Sequence, residues 1–189
     1  DGIGSTEMLH IFLSNRPGKV RYGTTGQAVP GYELRIVADD GHECGAGEIG
    51  ELQIKGPSAA LMYWNNRAKT KSTFAGEWTK SGDKYTVDAD GYYTYGGRSD
   101  DMLKVGGIYV SPFEVEACLM THPCVFEAAV IGAKDTDELV KPKAYVVLKP
   151  GQAVSIDDLQ AHVKSALAPY KYPRWIEFVT ELPKTATGK

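Results

Sequence analysis

The sequence predicts an α+β protein in two parts, the first made of short strands and turns, the second of strands alternating with helices. Three observations predict it. The 21 Gly and 10 Pro residues, an excess over ordinary usage, are concentrated before residue 111. Before residue 97, apolar residues alternate over four to six positions and then meet a turn signal. After Arg98, two stretches open with helix-capping residues and run longer.

In chain order, residues 32–37 alternate and stop at Asp39-Asp40-Gly41, a hairpin signal. Residues 50–55 alternate again and end at Gly56-Pro57, and residues 92–95 follow Asp90-Gly91 and precede Gly96-Gly97. A helix is expected over 66–74 with Asn65 as its cap. Short strands with frequent turns make residues 1–97 a small barrel or sandwich. Beyond the glycine-and-charge corner at 97–101, residues 102–110 read as a hairpin around Gly106-Gly107. Ser111-Pro112-Phe113-Glu114 is a helix start, with Ser as cap, Pro at the first helical position and Glu three residues after the cap. That helix ends near Met120, before His122-Pro123. Strands are expected over 125–132, 143–148 and 175–179, with an amphipathic helix over 155–167.

The bulk chemistry excludes several classes. Apolar residues at 42% and charged residues at 24% are a globular mix rather than a disordered one. A net charge of −3 and a pI near 5.8 argue against a dedicated nucleic-acid binder. Apolar runs stay near six residues, far below the ~20 of a membrane span, and the first residues show no signal-peptide pattern. Cys44, Cys118 and Cys124 are scattered and odd in number, which fits a reducing compartment, so a cytoplasmic location is expected.

Four short motifs carry chemistry. Gly2-Ile3-Gly4-Ser5-Thr6-Glu7 offers free backbone N–H groups, a hydroxyl and a hard-cation ligand, a set suited to phosphate with Mg²⁺; an ordinary capped turn is the plain alternative. Ser81-Gly82-Asp83 places a carboxylate after a glycine turn, where it could accept ribose hydroxyls or simply be solvated. Asp83, Asp88 and Asp90-Gly91 resemble the start of a calcium loop, but the EF-hand spacing and closing Glu are absent. Residues 97–107 join Arg98, a phosphate or ribose contact, to a bendable corner and two glycines. The chain ends in Pro183-Lys184-Thr185-Ala186-Thr187-Gly188-Lys189, whose last Lys is either a mobile point charge for an anion or a solvated terminus.

Taken in order, these motifs resemble the second part of the adenylate-forming superfamily, the acyl- and aryl-CoA ligases, peptide-synthetase adenylation domains and luciferases. The stretches 1–12, 56–60 with 63–66, and 110–116 look most like benzoate–CoA ligases. The resemblance implies a distal β-barrel-like subdomain of a large N-terminal domain over 1–97, a hinge at 98–100, and a small mobile α+β C-terminal domain over 101–189. It implies that an aromatic carboxylate, benzoate or a relative, reacts with ATP to an acyl-adenylate and then with CoA to an aryl-CoA. By the same resemblance, Gly4 and Thr6 contact the nucleotide, Thr6 at the α-phosphate, Glu7 places Mg²⁺, and Asp83 and Arg98 hold the ribose. Asp100 is the hinge, and Lys189 bridges the carboxylate and α-phosphate. Lys104, Gly106, Gly107, Tyr170, Lys171 and Tyr172 serve CoA, the last three with aromatic packing as an equal reading. His10 and Ile11 shape the acyl pocket, unless His10 is a structural histidine. Ile3 stands where many relatives carry Tyr. Nothing in the chain matches the family's Ser/Thr/Gly-rich phosphate loop, so it reads as a fragment that needs an upstream portion. Two other functions stay open: an adenylation domain that loads a carrier protein, and a non-catalytic nucleotide- or CoA-binding fragment.

Overall fold

The computed structural model describes residues 1–183. It is a mixed α+β structure in two compact units, residues 1–100 and 101–189, each with its own apolar core.

In the first unit, β1 (Gly2–Gly4) pairs antiparallel with β2 (Ile11–Ser14), and β2 with β3 (Gln27–Ala28). A second sheet runs β4 (Glu33–Val37), β5 (Gly50–Lys55) and β7 (Trp78–Val87). Along the far edge of β7 lie β6 (Phe74–Ala75), against its first residues, and β8 (Tyr93–Arg98), against its last. Met8, Phe12, Leu13, Leu52, Ile54 and Tyr85 are fully buried among these strands. Burying each contributes roughly 1.5–3 kcal/mol. The sheets are open: a single antiparallel bridge, Gly26 to Tyr93, links them, and no pairing among the described residues closes them, so the expected barrel is corrected to two open sheets. The strand length explains the error. The turn signal Ser81-Gly82-Asp83 lies inside the ten-residue β7, where these three residues face the single Leu52 of β5 between the pairs Gln53–Lys80 and Glu51–Lys84. Gly82 takes φ +75 in this bulge, the left-handed region that glycine enters at low cost.

The helix α1 (Arg67–Thr73) is capped by Asn66, whose Oδ1 accepts from the Lys69 N–H at 3.1 Å. Asn65, the expected cap, instead has φ +52 and turns the chain into the helix. That correction is a one-residue shift between two adjacent asparagines.

In the second unit, β9 (Leu103–Val105) and β10 (Ile108–Val110) form a hairpin with Val105 paired to Ile108. Both turn glycines, Gly106 and Gly107, have positive φ, as a two-residue primed turn demands. Helix α2 (Pro112–Met120) starts at Ser111, whose Oγ accepts from the Glu114 N–H at 3.1 Å. The three-stranded sheet has β12 (Val140–Leu148) in the middle, antiparallel to β11 (Val125–Lys134) and parallel to β13 (Trp175–Phe178). Helix α3 (Ile156–Ala166) is capped by Ser155 and carries Asp157 and Asp158 in its first turn, where the helix dipole favours them. Val115, Leu119, Val130, Val146, Leu159 and Val163 from α2, α3 and the sheet form the core. No helix among the described residues is long and apolar enough to cross a membrane.

Candidate active site

The first motif is a hairpin rather than a capped turn. Gly2–Gly4 are strand, and residues 5–10 form the connection back to β2. Gly4 is required there. A Cβ at this position would lie 2.6 Å from the His10 carbonyl oxygen, inside the backbone of the returning strand. Ile3 pairs with Leu13 and packs partly buried against the core.

The connection holds its chemistry in an exposed position and is tied down from behind. Thr6 is exposed and Glu7 half-buried, while Met8 beside them is fully buried as an anchor. The Glu7 carbonyl accepts from the Ala60 N–H at 2.7 Å, and the Met8 carbonyl accepts from the Ser58 hydroxyl. Ser58 is in turn 2.7 Å from the Tyr32 hydroxyl. Tyr63 donates its hydroxyl to the Glu7 carboxylate, and this bond, ahead of opposing burial, holds the Glu7 carboxyl below its ordinary range. Glu7 is therefore ionised at neutral pH. The ring of His10 stacks on Tyr32 with centroids 6.2 Å apart, and Ile11 leaves about half its surface exposed.

The second and third motifs meet. Asp83 and Arg98 are paired across β7 and β8, and Arg98 Nη1 donates to Asp83 Oδ1 at 3.1 Å. Asp83 is buried and Arg98 half-exposed. Burial pushes the Asp83 carboxyl above its usual value, and the Arg98 charge and hydrogen bond oppose that rise. Gly82 makes room for the pair, since Arg98 Nη2 lies 3.1 Å from where a Cβ would stand.

In the second unit, Lys104 and Tyr109 are opposite each other in the β9–β10 hairpin, with the ammonium 5.2 Å from the ring centre. Lys171 pairs with Glu114 of α2 through both carboxylate oxygens, at 2.7 and 2.6 Å. Tyr172 is covered by Lys164 and Arg174, each 4.0 Å from its ring centre, and Tyr170 is about one-third exposed. Lys171 and Tyr172 thus have structural partners within their own unit, whatever further contact they make. Asp100 is an exposed turn residue and the last of the first unit. Lys189 lies outside the described residues.

Sequence reasoning missed Tyr63, Ser58 and Tyr32 as supports of the Thr6–Glu7 connection. Tyr63 and Glu7 are separated by 56 positions, and no local pattern joins them.

Known proteins give the arrangement its family. Residues 1–64 match the family described as AMP-binding enzyme, and residues 114–189 match the AMP-binding enzyme C-terminal domain. This chain belongs to the AMP-binding, adenylate-forming enzymes. Within that family it is 67% identical over its whole length to the benzoate–CoA ligase of Thauera aromatica, of which it covers 37%. It is 56% identical to the 4-hydroxybenzoate–CoA/benzoate–CoA ligase of Rhodopseudomonas palustris, covering 36%. Two crystal structures superpose on the entire chain. The anthranilate CoA ligase AuaEII in complex with anthranoyl-AMP does so with a TM-score of 0.90 at 59% identity, over 37% of its own length. A benzoate CoA ligase from Burkholderia xenovorans LB400 gives 0.88 at 61%, over 38%. The chain therefore spans little more than a third of the adenylate-forming relatives it matches.

Proposed function

We propose that this chain is the distal part of an aryl-CoA ligase that activates benzoate, or a closely related aromatic acid, in two steps. The carboxylate oxygen attacks the α-phosphorus of ATP, pyrophosphate leaves, and an acyl-adenylate forms. The CoA thiol then loses its proton and attacks the acyl carbon, and AMP leaves with the electron pair of the broken C–O bond. Both steps depend chiefly on charge neutralisation and alignment. The observation that carries the reading is the 67% identity to a benzoate–CoA ligase along the whole chain.

In this reading, residues 1–97 are the open-sheet end of a large adenylating domain, residues 98–100 the hinge, and residues 101–189 a mobile C-terminal domain. Gly4 and Thr6 present donors to the α-phosphate. Glu7, an ionised oxygen donor oriented by Tyr63, fits a hard cation and would hold Mg²⁺. The cation would supply positive charge against the triphosphate. Asp83 accepts the ribose hydroxyls, with Arg98 keeping its carboxylate charged and aimed. His10, held flat on Tyr32, and Ile11 form one wall of the aryl pocket, an apolar surface suited to a ring. Asp100 is the pivot between half-reactions, and Lys189 neutralises the substrate carboxylate and α-phosphate in the first. Lys104 and the side-chain-free turn Gly106-Gly107 flank the pantetheine arm in the second, and Tyr170, Lys171 and Tyr172 lie along the CoA nucleotide.

The test uses a polypeptide of the relatives' length that carries this sequence. With benzoate, ATP, Mg²⁺ and free CoA it is expected to release equal amounts of benzoyl-CoA and AMP. Benzoyl transfer to a carrier protein, with none to free CoA, would instead assign a carrier-loading domain.

A further inference from the structure

One side-chain cluster in the first unit has no part in the proposed reaction. It is built on the loop between β4 and β5. The chain leaves β4 through Ala38–Gly41 and returns at His42, whose carbonyl accepts from the Ala38 N–H at 2.9 Å. Cys44 is fixed by its N–H bond to the Ile36 carbonyl at 2.8 Å, and Gly50 lets its sulfur approach, since a Cβ there would lie 2.8 Å from Sγ. Glu48 is folded back over the loop by the Gly45 N–H, which donates to Oε2 at 2.8 Å. Three residues of a single loop are thus brought together by hydrogen bonds to the loop's own backbone, and His42 and Glu48 also by their mutual ion pair.

We propose that His42 Nε2, Cys44 Sγ and a Glu48 carboxylate oxygen form a binding site for a divalent cation of the zinc class. The three ligand atoms all lie within 4.8 Å of one another, and His42 Nε2 is 3.7 Å from Glu48 Oε2. Ligands on a tetrahedral zinc stand about 3.3–3.7 Å apart, so the cluster needs only a small closure. Nitrogen, sulfur and oxygen donors together suit a borderline ion better than the hard Mg²⁺ or Ca²⁺. Asp40 supplies the outer support that metal-binding histidines commonly have: its Oδ1 is 2.6 Å from His42 Nδ1, leaving Nε2 for the ion. The carboxylates of Glu48, Asp40 and Glu43 are in electrostatic range of the sulfur, with Lys84 as the opposing cation. His42 and Glu48 are exposed, so water fills the fourth position. Binding releases the thiol proton to solvent as the metal–sulfur bond forms, and it ties the loop to β4.

The experiment is a titration of the reduced, chelator-free chain with Co²⁺, followed by near-ultraviolet thiolate-to-cobalt charge-transfer absorption. Absorption should saturate at one Co²⁺ per chain and be reversed by Zn²⁺. It should disappear in Cys44→Ser and persist in Cys118→Ser and Cys124→Ser. Asp40→Asn should weaken binding roughly tenfold to a hundredfold. Exposed His42→Gln keeps the test independent of any folding defect at Cys44: Zn²⁺ should raise the melting temperature of the parent and not of this variant. No charge-transfer band, a band that survives Cys44→Ser, or equal Zn²⁺ stabilisation of His42→Gln would overturn the proposal.

Discussion

Arg98 donates to Asp83 at 3.1 Å across two directly paired strands, with the acid buried and the base half in solvent. Burial pushes the Asp83 carboxyl up, and the Arg98 charge and hydrogen bond oppose that rise. Burial still leads, so the Asp83 carboxyl titrates above its unfolded value of 3.8. The native state then holds this proton to higher pH than the unfolded state, and stability from this group falls as pH rises through that window. Arg98→Ala removes the opposing charge and widens the window. Thermal melts near pH 4 and pH 7 should show the variant losing about 1–3 kcal/mol more than the parent between them. Parallel curves would mean that Arg98 does not sustain the Asp83 charge.

Glu7 has the opposite sign. Its carboxyl titrates below 4.5, chiefly through the Tyr63 hydroxyl, so it contributes stability above that value and loses it as pH falls below. Tyr63→Phe keeps the ring against Phe74, 5.6 Å away, and deletes the hydroxyl's contacts with Glu7 and Thr73. The variant should be roughly 1 kcal/mol less stable at neutral pH, a modest figure for a half-exposed pair. The deficit should shrink in strongly acidic buffer to whatever the Thr73 contact contributes, and a deficit independent of pH would mean that Tyr63 does not sustain the Glu7 charge.

Gly4→Ala tests the backbone approach in the first hairpin. The added methyl meets the His10 carbonyl at 2.6 Å, and a main-chain atom cannot swing aside. A loss of about 1–3 kcal/mol is expected in chemical denaturation. The control Gly18→Ala has open space around it, though its φ of +78 still penalises a side chain. If Gly4→Ala is no worse than this control, the close approach is not limiting.

Local chemistry made the second unit legible. Ser111 and Ser155 cap the helices expected of them, and the adjacent glycines at 106 and 107 take the positive φ their hairpin requires. The first unit was less readable because its longest strand hides its own pattern. Trp78–Val87 carries Lys80, Ser81, Gly82, Asp83 and Lys84 in its interior, and a bulge accommodates what looks like a turn. Likewise β8 continues through Gly96-Gly97 to Arg98, because strand pairing overrides the weak strand preference of glycine. Motif residues could be found by type, but their supports could not. Tyr63 on Glu7 and Ser58 on Met8 are long-range contacts that only the folded chain creates.

Asp100→Pro addresses the hinge. Proline fixes φ near −65° at an exposed turn position, the last of the first unit. In a polypeptide of the relatives' length, adenylate formation should persist while thioester formation falls by at least tenfold. Unimpaired thioester formation would remove the pivot from Asp100.

The most direct measurement is benzoate-dependent ATP–pyrophosphate exchange by such a full-length polypeptide carrying this sequence. Rapid exchange with benzoate, and little with acetate or amino acids, is the predicted result. Absence of exchange with any aromatic carboxylate would contradict aryl-acid activation and leave a nucleotide-binding fold without this chemistry.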